Sequence, residues 1–154
     1  EIDLIEFAAD RLGYGFAKKN EEERSDEYFI GSCDIDFPDC ITDVKAPWNR
    51  KTLQEKAIEK IDSDYAYQGQ GYMRLWNKKR FILFYGLMST PEDANFGFEV
   101  SYDDMPIDER WIAFELLYEE NDINEIIQRV KMCRIYLEQH DKIIRSKMGK
   151  IHSA

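Results

Sequence analysis

One uninterrupted apolar run, Arg80 to Met88 (RFILFYGLM), constrains the fold more than any other segment of this chain. A short continuous run of this kind is typical of a buried strand in the middle of a sheet, covered on both faces. A second run of the same type, Glu109 to Tyr118 (ERWIAFELLY), follows it along the chain. The sequence therefore predicts a sheet with at least one strand in its interior.

Helical and strand-like patterns surround these runs and give the order helix, hairpin, helix, strand, strand, helix. Gly13 and Gly15 are expected to end the first helix, and Pro38-Asp39 is expected to form the hairpin turn. The acidic run Glu21–Glu27 is expected to be a solvated loop or edge. The predicted ranges are a helix at Glu1–Leu12, a hairpin within Tyr28–Ala46, one or two helices within Asn49–Trp76 and a long helix from Ile123 to about Ser146. The inward stripe of the first helix is expected to contain Ile2, Ile5, Ala9 and Leu12.

Length and composition predict one compact domain over 1–154. The chain has 154 residues, of which 44% are hydrophobic and 14% aromatic, enough for a packed core. We expect no signal peptide, because no such pattern opens the sequence, and no run approaches the roughly 18 apolar residues that a membrane helix needs. Its three cysteines form no CxxC pair, so we expect reduced thiols in an intracellular, cytoplasmic protein with no membrane partner. The uncapped first helix suggests that the natural N-terminal segment lies further upstream.

Paired carboxylates are the most informative feature of the predicted hairpin. An even-numbered turn at Pro38-Asp39 places Asp34 opposite Asp43, with Cβ atoms about 4.5–5.5 Å apart. Lys45 projects from the same strand face as Asp43. Such a pair is tolerated when it is exposed, when one group is protonated or when a divalent cation lies between the two. Spacing alone leaves two interpretations open. The carboxylates are either surface charges on an ordinary hairpin or a site for a hard cation such as Mg²⁺ or Mn²⁺.

Three short motifs in order resemble a known family. They are Gly-x-x-Asp at Gly31–Asp34, Asp-x-Lys at Asp43–Lys45 and Gln-x-x-x-Tyr at Gln68–Tyr72, and their order resembles that of the PD-(D/E)xK nucleases of the RecB and lambda-exonuclease (YqaJ-like) branch. Further similarity to phage-type members comes from Trp48, Thr52, Tyr65–Met73 and Ser89–Glu92. The resemblance covers most of the chain up to about Glu92. It implies an α/β (α+β) restriction-endonuclease-like core, with a mixed central sheet of about four to five strands flanked by helices.

The resemblance also implies roles for individual residues. Asp34 and Asp43 correspond to metal ligands, the backbone carbonyl of Val44 often completes the metal shell in relatives, and Lys45 positions or activates the attacking water. Relatives carry a further ligand, a Glu, on the helix before the hairpin. Glu1 and Glu6 are the candidates here, and Glu1 is favoured because it lies nearer the inward stripe.

Residues of the third motif and its surroundings are candidates for substrate contact. Gln68 and Tyr72 share a helical face with Tyr65, and in relatives the Gln/Tyr pair lies beside the active site. Gln70 faces elsewhere on the helix. Packing on the sheet is the alternative for Tyr65, and core packing is the alternative to base stacking for Trp48.

Taken together, these residues predict a Mg²⁺-dependent (or Mn²⁺-dependent) DNA nuclease, an exonuclease acting on duplex ends in phage-type recombination or repair. The alternatives are a catalytically incomplete DNA-end-binding module of the same fold and an unrelated acidic adaptor. The resemblance implies DNA as partner, with a single-strand annealing or recombination protein and a homo-oligomer as further candidates. Relatives with an iron–sulfur cluster use four cysteines, so we expect no such cluster here. The net charge of -10 predicts DNA binding that is weak, salt-sensitive and metal-dependent.

Overall fold

The computed structural model describes residues 2–90 and 100–149. The chain divides into two compact units, Glu1–Glu119 and Glu120–Ala154. In chain order the elements are α1 (Ile2–Arg11), β1 (Arg24–Ser25), β2 (Ile30–Gly31), β3 (Ile35–Asp36), β4 (Ile41–Lys45), α2 (Arg50–Ile58), α3 (Ser63–Trp76), β5 (Arg80–Gly86), β6 (Trp111–Leu117) and α4 (Glu120–Lys147). A short 3₁₀ turn, Ile107–Glu109, precedes β6. In these described ranges no helix has both the length and the apolar character needed to cross a bilayer.

The first unit is built on a mixed four-stranded sheet in the order β3-β4-β5-β6. The β4–β5 pair is parallel, whereas the β3–β4 and β5–β6 pairs are antiparallel. Residues Phe81 to Gly86 of β5 are all buried, which confirms the predicted interior strand. β6 is confirmed as a strand, but its predicted burial on both faces is wrong: it is the sheet edge, and its residues alternate between partly buried and exposed.

Alternating side chains of β5 belong to two separate hydrophobic clusters. Ile82 and Phe84 pack with α1, whereas Phe81, Leu83 and Tyr85 pack with residues of α2 and α3. Successive strand residues point to opposite faces, so one strand supplies both clusters. The sheet is thus covered by helices on each face, and the predicted α+β restriction-endonuclease-like architecture is confirmed.

The buried face of helix α1 includes Ile5 and Ala9 of the predicted stripe, and Leu12 is partly buried against the same cluster. Leu4, Ile5, Ala8 and Ala9 are buried, but Ile2 is exposed. The helix ends as predicted at Gly13, whose φ of 83° is the left-handed conformation that glycine adopts without strain.

Helices α2 and α3 fill the predicted Asn49–Trp76 region and are both capped. The Asn49 side chain accepts a hydrogen bond from the Thr52 backbone N–H at 3.0 Å, and Asp62 caps α3. Gly69 allows α3 to approach the sheet, because a Cβ there would lie 2.4 Å from the Phe81 ring. The backbone of α3 therefore lies close to β5 at this glycine.

A small two-stranded sheet, β1 with β2, lies where the sequence predicts only a solvated loop or edge. The Asp26 carboxylate closes its turn by accepting hydrogen bonds from the backbone N–H groups of Tyr28 (2.8 Å) and Phe29 (2.9 Å). Strands of two residues have no periodicity to detect, which explains why the pattern missed them.

The second unit consists, in its described part, of the long helix α4. Its existence is confirmed at Glu120–Lys147. Every residue from Lys131 to Gly149 is exposed, so the helically spaced apolar residues Cys133, Leu137 and Ile144 are not buried.

Candidate active site

The β3–β4 turn has the register that the sequence predicts. The Phe37 N–H donates to the Cys40 carbonyl at 2.9 Å, and Asp36 is paired with Ile41. The last pair of the ladder is Ile35 with Thr42, and continuing this register by one position brings Asp34 opposite Asp43, whose pKa the Asp34 charge raises. The Asp34 carboxylate also accepts a hydrogen bond from the Val44 backbone N–H at 2.8 Å. The structure therefore brings the two predicted carboxylates together at one end of β4.

Asp43 is a buried carboxylate, only 3% exposed, and forms an ion pair with Lys45 on the same strand face. Burial, together with repulsion from Asp34, raises the pKa of Asp43 to about 6 although the Lys45 ammonium opposes this. Burial lowers the pKa of Lys45, but the hydrogen bond and charge of Asp43 outweigh it, so this pKa is raised. The pair is thus a carboxylate under electrostatic strain beside a firmly protonated amine.

This donor set fits a hard divalent cation. Apart from its ion pair with Lys45, the buried Asp43 Oδ2 accepts no hydrogen bond from the described residues. Two adjacent carboxylates with a neighbouring backbone carbonyl are oxygen ligands of the kind that Mg²⁺ and Mn²⁺ prefer. Within 2–90 and 100–149, no group of three or more His, Cys, Asp or Glu could hold a metal. Glu1, the favoured third ligand, lies outside the described residues, and the other candidate, Glu6, is exposed.

Gln68 and Tyr72 of α3 lie beside this cluster and share one helix face, as the spacing predicts. The Gln68 Nε2 donates to the Tyr72 hydroxyl at 2.8 Å. Burial raises the pKa of Tyr72, and the negative charge of Asp43 raises it further, which indicates that the phenol is close to the carboxylates. Gly31 makes room for the ring, because a Cβ there would lie 2.5 Å from Tyr72 Cε1. The glycine of the first motif thus shapes the position of the tyrosine of the third.

The Tyr65 ring lies under the Lys45 ammonium, with Nζ 5.4 Å from the ring centroid. This distance is in the range of a cation–π contact. The sequence predicts that Tyr65 contacts substrate or packs on the sheet, and the structure shows the packing: Tyr65 lies against the hydrophobic cluster that includes Leu83 and Tyr85 of β5, in addition to its contact with Lys45. Substrate contact by Tyr65 stays a prediction.

Gln70 is a supporting residue whose function the sequence did not indicate. It is 3% exposed, donates to the Leu117 carbonyl at 2.8 Å and accepts from the Glu119 N–H at 2.9 Å. These bonds fasten α3 to the end of β6. The only signal in the sequence is its position two residues from Gln68, which points it away from the site as predicted.

Similarity of this chain to known proteins is found among solved structures. No family model matches the chain, and no curated protein matches it. A phage-related exonuclease from Haemophilus somnus 129PT superposes with a TM-score of 0.74 at 25% identity, over 92% of this chain and 69% of the other. An alkaline exonuclease, LHK-Exo, from Laribacter hongkongensis gives 0.62 at 15% identity, over 91% and 66%. LHK-Exo in complex with dAMP gives 0.60 at 16% identity, also over 91% and 66%.

This chain has the fold of the phage-type exonucleases. The structural likeness agrees with the resemblance carried by the three motifs. This exonuclease-like chain spans about two thirds of the length of its structural neighbours.

Two further residues near the candidate site, Trp48 and Cys33, differ in their exposure to solvent. Trp48, after the end of β4, is 88% exposed, so the core-packing alternative is wrong and the residue is available for contact. Cys33, next to Asp34, is buried, and burial raises the pKa of its thiol to about 12. Cys33 is therefore a neutral packing residue beside the site.

Proposed function

We propose that this chain is a metal-dependent DNA nuclease, an exonuclease that hydrolyses phosphodiester bonds at duplex ends in phage-type recombination or repair. The observation that carries the proposal is the buried Asp43 facing Asp34, with Lys45 beside it. The exonuclease fold supports the same reaction class.

Each polar residue of the cluster has a task that this hydrolysis requires. Asp34, Asp43 and the Val44 carbonyl would hold Mg²⁺ or Mn²⁺, with Glu1 as the further ligand. When bound, such an ion activates water as a nucleophile and neutralises charge on the phosphate. The Lys45 ammonium, held by Asp43 and the Tyr65 ring, orients the water or stabilises charge that develops on the phosphate.

Gln68 and Tyr72 are placed to contact the substrate backbone. Their hydrogen bond fixes both side chains beside the carboxylates, and each keeps donor or acceptor capacity for a phosphate oxygen. Because neither group is charged, they position the strand without competing with the cation. We propose that they are substrate-positioning groups of the site.

The substrate proposal is DNA, in keeping with a structural neighbour solved with dAMP. A net charge of -10 limits the electrostatic attraction for DNA, and a bound divalent cation offsets part of the acid excess. Binding is therefore expected to depend on metal and to fall steeply with salt. The same proposal includes a cytoplasmic location and a single nuclease domain over 1–154. It also includes a single-strand annealing or recombination partner and a homo-oligomeric assembly.

A DNA-end-binding module with an incomplete metal site is the second candidate. It is favoured because, in the part of the chain that the structure describes, no group of three or more His, Cys, Asp or Glu side chains could hold a metal ion. On this reading the fold and DNA contacts are kept but hydrolysis is lost.

A digestion assay separates the two candidates. Linear duplex labelled at either the 5′ or the 3′ end, and a closed circular duplex, are incubated with the chain and Mg²⁺. We expect label release from the linear substrates only, and none in EDTA or with Lys45→Ala. Metal-independent binding without cleavage would support the incomplete module, and cleavage of the closed circle would refute exonuclease action.

A further inference from the structure

Trp48 differs from the other two tryptophans in having an open indole. It is 88% exposed, whereas Trp76 is 4% exposed and Trp111 is partly buried and stacked on Phe84. Among the described residues Trp48 takes part in no ring-stacking or cation–π contact. Leaving so large an apolar surface in water is unfavourable, which is why exposed aromatic groups often mark contact sites.

The backbone holds this indole at a limited distance from the candidate active site. Lys45 ends β4, and Asn49 caps α2 through its hydrogen bond to the Thr52 N–H, so the connection is anchored at both ends. Three residues span at most about 11 Å. One DNA strand advances about 3.4 Å per nucleotide. Trp48 therefore lies within about three nucleotide steps of Lys45.

Basic residues follow directly on α2. Lys51 is 84% exposed at its side chain and pairs with Glu55, and Arg50 is 55% exposed and pairs with Glu109. An aromatic side chain next to exposed basic groups is the arrangement that single-strand binding surfaces use, with rings stacking on bases and cations following phosphates.

From these observations we infer that Trp48 is a stacking subsite for one unpaired base of the substrate strand, close to the scissile phosphate. Stacking requires a free base face, which an intact duplex hides. The ligand class is therefore a single-stranded or frayed nucleotide, and Arg50 and Lys51 contact its flanking phosphates. This inference rests on the proposed function for its substrate, but it concerns binding and not hydrolysis.

Binding measurements with hydrolysis-resistant DNA test the subsite independently of cleavage. The probe is a phosphorothioate oligonucleotide, single-stranded or as a closed circular duplex, titrated into wild type, Trp48→Phe and Trp48→Leu in Mg²⁺ and in EDTA. We expect single-stranded DNA to quench the exposed tryptophan fluorescence of wild type. We expect Trp48→Leu to weaken single-strand affinity about 5- to 150-fold, with Trp48→Phe in between and Ile58→Ala, equally exposed on α2, unchanged.

Two results would overturn the subsite. One is single-strand affinity of Trp48→Leu within twofold of wild type. The other is an equal loss of affinity of Trp48→Leu for the closed circular duplex. That result would indicate that Trp48 makes a contact that does not require unpaired bases. Failure of the nuclease proposal is seen separately, as intact linear phosphodiester DNA after incubation with wild type.

Discussion

The backbone N–H of Val44 donates a hydrogen bond of 2.8 Å to the Asp34 carboxylate. This bond ties Asp34, which directly precedes β3, to β4, the strand that carries both Asp43 and Lys45. Asp34 therefore has a structural task as well as its proposed task as a metal ligand. The two tasks can be separated by substitution.

We predict that Asp34→Asn and Asp34→Ala lose activity equally but differ in stability. Asparagine keeps an oxygen acceptor for the Val44 N–H, whereas alanine leaves that buried donor unsatisfied at a cost of about 1–3 kcal/mol. Loss of the charge should lower the cleavage rate by about a hundredfold or more in both variants. Thermal unfolding and digestion rates measure the two effects, and equal stability of the two variants would contradict the structural task.

Asp43 is expected to destabilise the metal-free fold at high pH. Because the folded pKa of Asp43, about 6, lies above the ordinary aspartate value of 3.8, the folded state binds more protons between these two pH values. Stability contributed by the protonated form is therefore present at low pH and lost as pH rises through about 6. In EDTA at pH 8, Asp43→Asn should be more stable than wild type by about 3 kcal/mol, or about 6–12 °C in Tm.

At pH 4.5 this difference should shrink, because Asp43 is then largely protonated in the folded protein. Mg²⁺ should raise the Tm of wild type at pH 8 and leave that of Asp43→Asn unchanged. Thermal unfolding in both buffers measures this. A difference between the variants that is the same at both pH values would show that the charge of Asp43 is not its source.

Tyr65 is predicted to act on Lys45 through its ring. Tyr65→Phe keeps the ring under the ammonium and should retain the cleavage rate, whereas Tyr65→Leu should lower kcat about 2- to 30-fold with little change in KM. Steady-state kinetics with a labelled duplex distinguish these cases. A rise in KM in both variants would instead support direct substrate contact by the tyrosine hydroxyl.

Gly31 is predicted to be required for the position of Tyr72. Alanine at this position places a Cβ 2.5 Å from Tyr72 Cε1, so the ring must move and its hydrogen bond with Gln68 is disturbed. Gly31→Ala should cost about 1–3 kcal/mol of stability in the wild type and much less in a Tyr72→Ala background. Urea unfolding of the four proteins gives the coupling energy. The same cost in both backgrounds would contradict this contact.

The parts of the site that are local in sequence could be predicted, whereas those that depend on tertiary packing could not. Turn parity at Pro38-Asp39 was sufficient to pair Asp34 with Asp43, and helical spacing was sufficient to pair Gln68 with Tyr72. The contact of Tyr65 with Lys45 joins α3 to β4, and no spacing rule describes such a contact.

The limits on fold prediction have the same cause. The apolar run of β5 identified an interior strand because a strand that is buried on both faces consists of consecutive apolar residues. The run of β6 carries a similar composition, yet its place at the sheet edge is decided by which strands pair with it. The exposure of Trp48 likewise follows from the path of the connection between β4 and α2.

The most direct test of the account is the Mg²⁺ dependence of duplex cleavage by wild type and Asp43→Asn. Asp43 and Asp34 are proposed to hold the cation, so wild-type cleavage should rise with Mg²⁺ to saturation and vanish in EDTA. Asp43→Asn should remain folded and show no cleavage at any Mg²⁺ concentration. Cleavage in EDTA, or cleavage by Asp43→Asn at the wild-type rate, would contradict the proposed metal site.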